Sequence, residues 1–162
     1  MKRIEVRLSL QAVRPLLEVL RSAGNALRDS LAAAPLVAGL EPEFQDAWNA
    51  ELLASQNSEV RALLALFGTE FEKTGVIGFD EENAEAIVRA TAALRLQLRA
   101  RHFSELSDED LETDAVELDG LPEGGRKAYL AYLFLRTLQD LVIRHLDSSI
   151  LGGGRDEETE GG

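Results

Sequence analysis

RKAYLAYLFLRTLQDLVIRHLD, residues 126–147, decides the fold class of this chain. On a helical wheel Leu130, Leu133, Phe134, Leu135, Leu138, Leu141, Val142, Ile143 and Leu146 cover nearly every side. The polar remainder is a narrow stripe of Arg136, Asp140 and Arg144. A helix that is apolar all round belongs in a protein core or in a membrane. The longest unbroken apolar run, Ala128 to Leu135, is eight residues, well short of the roughly 20 that span a bilayer. The stretch therefore predicts a buried C-terminal helix at the centre of a mainly α domain of about five helices. Within the stripe each charge stands four residues from the next, so Asp140 is expected to pair with both arginines, at about 0.2–0.5 kcal/mol per exposed pair.

Working back to the N-terminus, Ile4, Val6, Leu8 and Leu10 alternate with Glu5, Arg7 and Ser9, the period of a half-buried strand rather than of a secretory leader. Val13, Leu16, Leu17, Leu20, Leu27 and Leu31 then place apolar groups on one face of a helix that ends before Pro35. Pro15 is expected near its start, because a proline ring blocks an interior turn. Phe44, Ala47, Trp48, Glu51 and Leu52 predict a short second helix whose aromatic pair docks on the body. Asn57 or Ser58 is read as the cap of a third, carrying Val60, Leu63, Leu64, Phe67 and Phe71 and ended by Gly75 in a left-handed conformation. Val76, Ile77 and Phe79 form an apolar trio that can pair with the first strand in a small ribbon. Asp80 is read as the cap of a fourth helix with core face Ala84, Ile87, Val88, Thr91, Leu94 and Leu98.

From 104 to 123 the chain is rich in Asp and Glu and reads as a surface connection that Gly124 and Gly125 release into the last helix. Residues 1–150 are read as a single helical domain and 151–162 as a flexible, acidic, Gly-rich tail.

The formal net charge is -12. A surface of that sign repels nucleic acid phosphates, so nucleic acid is disfavoured as a partner. The chain has no cysteine, which removes thiolate chemistry and disulfides and fits a cytoplasmic protein with no membrane segment.

The run FDEENAEAIVRATAALRLQLRARH, followed after the acidic spacer by YLFLRTLQDLVIRHL at Tyr132 to Leu146, resembles a bacterial family of small acidic helical proteins. In the numbered series of domains of unknown function it is number two thousand and seventeen. The resemblance covers about two thirds of the chain and implies no catalytic residues. Some members are labelled as candidate transcriptional regulators or are encoded near the adaptor of a bacterial ATP-dependent protease, which implies a regulatory setting.

Residue chemistry points away from an enzyme. His102 and His145 have no glutamate three residues before them, so the Glu-x-x-His element of di-iron bundles is missing. Phosphate-binding glycine motifs and the nucleophile elbow are also missing, and the acids from Asp108 to Asp119 lack the register of a calcium-binding EF-hand. No catalytic, cofactor or metal residue is assigned. Arg89, Arg95, Arg99 and Arg101 make a basic ridge, although the helix dipole accounts for the last three. Phe44 and Trp48 suit a binding hot spot or, more commonly, packing at the edge of the body.

The first expectation is a non-enzymatic protein acting through protein contacts, with a homodimer through the apolar last helix. The alternatives are a small-molecule-sensing regulator, in which Tyr129, Tyr132 and an arginine orient a small acid between helices, and a carboxylate-based enzyme. The candidate interaction surface is Tyr129, Tyr132, Arg136, Asp140 and Arg144.

Overall fold

The computed structural model describes residues 3–33, 39, 41–103, 106, 107, 109 and 121–147. The fold is mainly helical, with a two-stranded antiparallel ribbon. In chain order the elements are β1 (Arg3–Arg7), α1 (Leu10–Ala26), α2 (Pro42–Ala65), the short α3 (Thr69–Thr74), β2 (Val76–Asp80), α4 (Ala84–His102) and α5 (Glu123–Val142), with a π-helical turn over Ile143–Asp147. Among the described residues four helices are long, against the five expected, and α3 spans fewer than two turns.

In the ribbon Ile4 stands opposite Phe79 and Val6 opposite Ile77. Phe79 and Ile77 are buried and their partners half-buried, so the period-two pattern faces the core as expected. Cover comes from the helices, without which two strands are marginal. Gly75 joins α3 to β2 at φ 72°, and its N–H donates to the Phe71 carbonyl at 2.7 Å. Its carbonyl accepts from the Leu8 N–H at 2.7 Å, and a Cβ here would sit 2.9 Å from the Leu8 oxygen. Both the left-handed backbone and the close strand approach require glycine.

Four boundaries differ from the sequence reading. Helix α1 begins at Leu10, capped by the Ser9 hydroxyl accepting from the Ala12 N–H at 3.2 Å, so Pro15 lies inside the helix. The carbonyl its ring leaves without a donor belongs to Gln11, an exposed residue open to water. The second expected helix and the start of the third are one, and the third is broken at Leu66–Gly68, which leaves Phe71 in α3: α2 runs unbroken through Asn57 to Ala65, and the Asn57 side-chain amide donates to the Arg28 carbonyl at 3.0 Å. Asn57 is thus a capping residue for the chain leaving α1, not for its own helix. Asp80 ends β2, and its Oδ1 accepts from the N–H groups of Glu82 and Asn83 at 2.9 and 3.0 Å, so α4 starts only at Ala84. Gly124 and Gly125 belong to the first turn of α5, where N–H groups lack intrahelical partners in any case.

The centre of the fold is α4, not the C-terminal helix. It packs on α5, α2 and α1, whereas α5 packs chiefly on α4 and α1. On α4, Ala84, Ile87, Ala90, Thr91, Leu94 and Leu98 are buried against these three neighbours. Leu17, Leu20, Leu63, Phe67, Phe71, Ile87, Leu94, Leu98, Phe103 and Leu135 belong to one buried cluster. Among the described residues no helix is long and apolar enough to cross a membrane. The acidic connection, apart from Leu106, Ser107, Glu109, Leu121 and Pro122, and the C-terminal tail lie outside the described residues.

Candidate interaction surface

Tyr129 and Tyr132 are three residues apart on α5, and both are 3% exposed. Their rings stack at 6.5 Å with 7° between planes, and Phe103, just past α4, meets both edge-on at 5.8 and 6.1 Å. The arginine at this seam is Arg95 of α4. It donates from Nη2 to the Tyr132 hydroxyl at 3.1 Å and from Nη1 to Gln139 Oε1 at 2.7 Å, and its Cζ lies 4.8 Å from the Tyr132 ring centre. A planar guanidinium suits this combination of ring contact and forked donation. The tyrosines thus form part of the core, and the cleft above them is lined by Ala92, Arg95, Leu96, Arg99 and Tyr132.

The rest of the expected surface does not assemble there. Arg136 is half-buried, Asp140 and Arg144 are exposed, and among the described residues Asp140 makes no ion pair with either arginine. Helical spacing brings such groups within reach, but solvated side chains gain too little to hold the geometry.

A second groove lies between α1, α4 and α5, lined by Glu18, Ser22, Gln97, Arg101, His102 and Lys127 among others. Lys127 Nζ bridges to Glu18 at 3.0 Å. The His102 imidazole is held below its ordinary pKa, first because partial burial disfavours its charged form and second because Arg101 repels it. Such a ring is a neutral donor and acceptor at pH 7. No group of three or more His, Asp or Glu that could hold a metal occurs among the described residues.

The third feature is the one whose exposure sequence reasoning missed. Gln56, Val60 and Leu63 are the buried residues of α2, all in its second half. Gln56 donates to the carbonyls of Leu27 and Ser30 at 3.0 Å each and accepts from the Ala32 N–H at 2.9 Å, clamping the chain after α1 onto α2. The first half runs beyond this clamp. Phe44 and Trp48 do not dock on the body: they are 62% and 48% exposed, one turn apart on the same side. One turn further along α2, starting at Leu52, a groove of about 510 Å³ opens between α2, α4 and the chain after α1, its walls including Leu31, Ala32, Leu52, Glu59, Arg89 and Leu96. Leu96 is itself 43% exposed. Their i, i+4 spacing was legible as a stripe, but nothing in that spacing says whether the body reaches it.

Compared with known proteins, the chain matches no family model, no curated protein and no solved structure.

Proposed function

We propose that this chain is a non-enzymatic helical protein that works through protein contacts in a regulatory setting. The observation that carries this reading is the pair Phe44 and Trp48, held outward on a helix that extends past the core. Large exposed aromatics cost solubility, and they are enriched among residues that dominate binding energy. Membership of the bacterial family of unknown function belongs to the same proposal. Its support is that the two resembling segments correspond to α4 and the greater part of α5, which make the most extensive helix contact of the fold.

The test is affinity recovery from cells of the source organism with the wild-type chain and a Phe44→Ala, Trp48→Ala double variant, compared by quantitative mass spectrometry. Partners held by the ridge drop by about tenfold or more in the variant, the loss expected for one hot-spot residue. Equal recovery by both proteins overturns the reading.

Self-association is a second reading, favoured by α5. Leu130 and Leu141 share its outer side, with Leu130 43% exposed and Leu141 half-buried, while Phe134 beside them packs on Phe67 at 5.9 Å. A two-fold pairing covers such a stripe with its own copy. Light scattering at tens of micromolar reads a dimer mass for the wild type and a monomer mass for Leu130→Glu; a wild-type monomer rejects it. The small-molecule-sensing alternative rests on the Arg95, Arg99 and Tyr132 cleft. A metabolite panel that leaves Tm unchanged removes it.

A further inference from the structure

The ridge on α2 also carries information about the chemistry of its occupant. Resting on the protein-contact reading above, we infer that the ridge and groove receive a basic amphipathic helix of a partner protein, apolar face inward and Lys or Arg along its margin. Three observations lead there.

The shape is that of a helix seat. Phe44, Trp48, Glu51, Ser55 and Glu59 fall on one stripe of α2 at intervals of three and four. Fifteen residues of rise make the stripe about 22 Å long, which matches a partner helix of about four turns. Leu52, Ala92 and Leu96 supply the apolar floor between α2 and α4. Helix-in-groove recognition uses anchors at this spacing.

Along α2 the charge is one-sided, and the basic residue lining the groove, Arg89 of α4, is held by acids of this chain. From Glu41 to Val60 the chain holds Glu41, Glu43, Asp46, Glu51 and Glu59 and no Lys or Arg. Glu59 is engaged by Arg89, which also pairs with Glu85. Glu41, Glu43, Asp46 and Glu51 make no ion pair among the described residues. Glu51 on the same stripe and Glu41 at the helix start flank the two exposed aromatics, and they favour a cationic margin on whatever covers the aromatics; Glu43 and Asp46, on other sides of α2, add to the field that accelerates its encounter.

The same charge discriminates against other occupants. A second copy pairing α2 with α2 sets acid against acid, and each copy carries -12. Anionic lipid headgroups and nucleic acid phosphates are repelled for the same reason.

Trp48 is the only tryptophan, so its emission reports the seat directly. The experiment titrates the full chain with a synthetic 15-residue helix of Leu and Lys, and with its counterpart carrying Glu for Lys. Expected is a blue shift with the Lys peptide, weakened about tenfold or more between 50 and 300 mM salt, and none with the Glu peptide. Phe44→Ala reduces the affinity about tenfold. The triple variant Glu41→Lys, Glu43→Lys, Glu51→Lys reverses the preference and binds the Glu peptide. All three positions are exposed, and far-UV circular dichroism verifies that each variant is folded.

Equal response to both peptides, or unchanged Lys-peptide binding by the triple variant, overturns the inference. So does a blue shift with phosphatidylserine vesicles but not with the Lys peptide, or one produced by raising the concentration of the chain alone. Repeating the recovery from cells with the triple variant separates the two levels. If partners persist there but are lost in the Phe44, Trp48 double variant, the basic helix is rejected and the protein-contact reading stands.

Discussion

Val60 and Leu63 in the second half of α2 are 5% and 0% exposed, whereas Phe44 and Trp48 in the first half stand at 62% and 48%. Both halves belong to one continuous helix. Tertiary packing holds the second half, where the Gln56 clamp and the core seat are made. The first half, where only Gln45, Asn49, Leu52 and Leu53 are half-buried, leans more on local terms: Pro42 at its start, Glu43 near the positive end of the dipole, and a run of good helix formers from Ala50 to Ala54. Helix propagation adds a hydrogen bond for each residue fixed once a nucleus exists, so a well-packed half carries a more lightly packed one. A helix built this way presents side chains that the fold does not need.

The comparison breaks most visibly at Leu63. Leu63→Ala opens a cavity in the core and costs about 2–5 kcal/mol. The check is urea denaturation followed by circular dichroism. A loss under about 1 kcal/mol means that the second half is not the anchor.

Gln56→Ala comes next. It strands the Ser30 carbonyl and the Ala32 N–H and leaves the Leu27 carbonyl only the 3.4 Å bond from the Ser30 N–H. With part of that region near solvent, the expected loss is about 1–3 kcal/mol. Hydrogen exchange at Ala32 should accelerate along with it. A stability unchanged from wild type shows that the chain after α1 holds itself.

These two residues also mark how far the sequence could be read. The apolar spacing of Val60, Leu63, Leu94 and Leu98 made the core face plain, and so did the alternation that pairs β1 with β2. Periodicity reports which side of a helix is apolar. It does not report which neighbour covers that side, so Phe44 and Trp48 read as docked and α5 read as central. Gln56 and Asn57 were opaque for another reason. Their partners, Leu27, Arg28, Ser30 and Ala32, are more than 20 residues away, and a polar side chain that satisfies distant backbone looks from sequence like the cap of a new helix. The Arg95 seat on Tyr132 was half legible: the tyrosines were singled out, but the dipole argument sufficed for the arginine and hid its partners.

Ala50→Gly sharpens the contrast at a smaller scale. Ala50 is exposed, so the substitution costs helix propensity of about 1 kcal/mol and no packing. If the first half opens independently of the core, its amides from about residue 46 to 54 exchange about fivefold faster, while those around Leu63 keep their rates. Uniform acceleration through α2 would instead make the helix a single cooperative unit and remove the distinction between its halves.

The smallest effect is the most informative. Phe44→Ala and Trp48→Ala each remove a large apolar side chain, and in the core a loss of that kind costs about 3–5 kcal/mol. Here the rings keep 62% and 48% of their surface in water in the folded state, so only part of that loss is at stake, and alanine is a better helix former than either aromatic. The two terms leave a loss of about 1 kcal/mol or less, read as a urea midpoint close to that of the wild type. A destabilisation of 2 kcal/mol or more, on the order of a core truncation, would show that the ridge is packed after all. A null result isolates it as surface kept for contact, because the fold then gains nothing from two of its largest side chains.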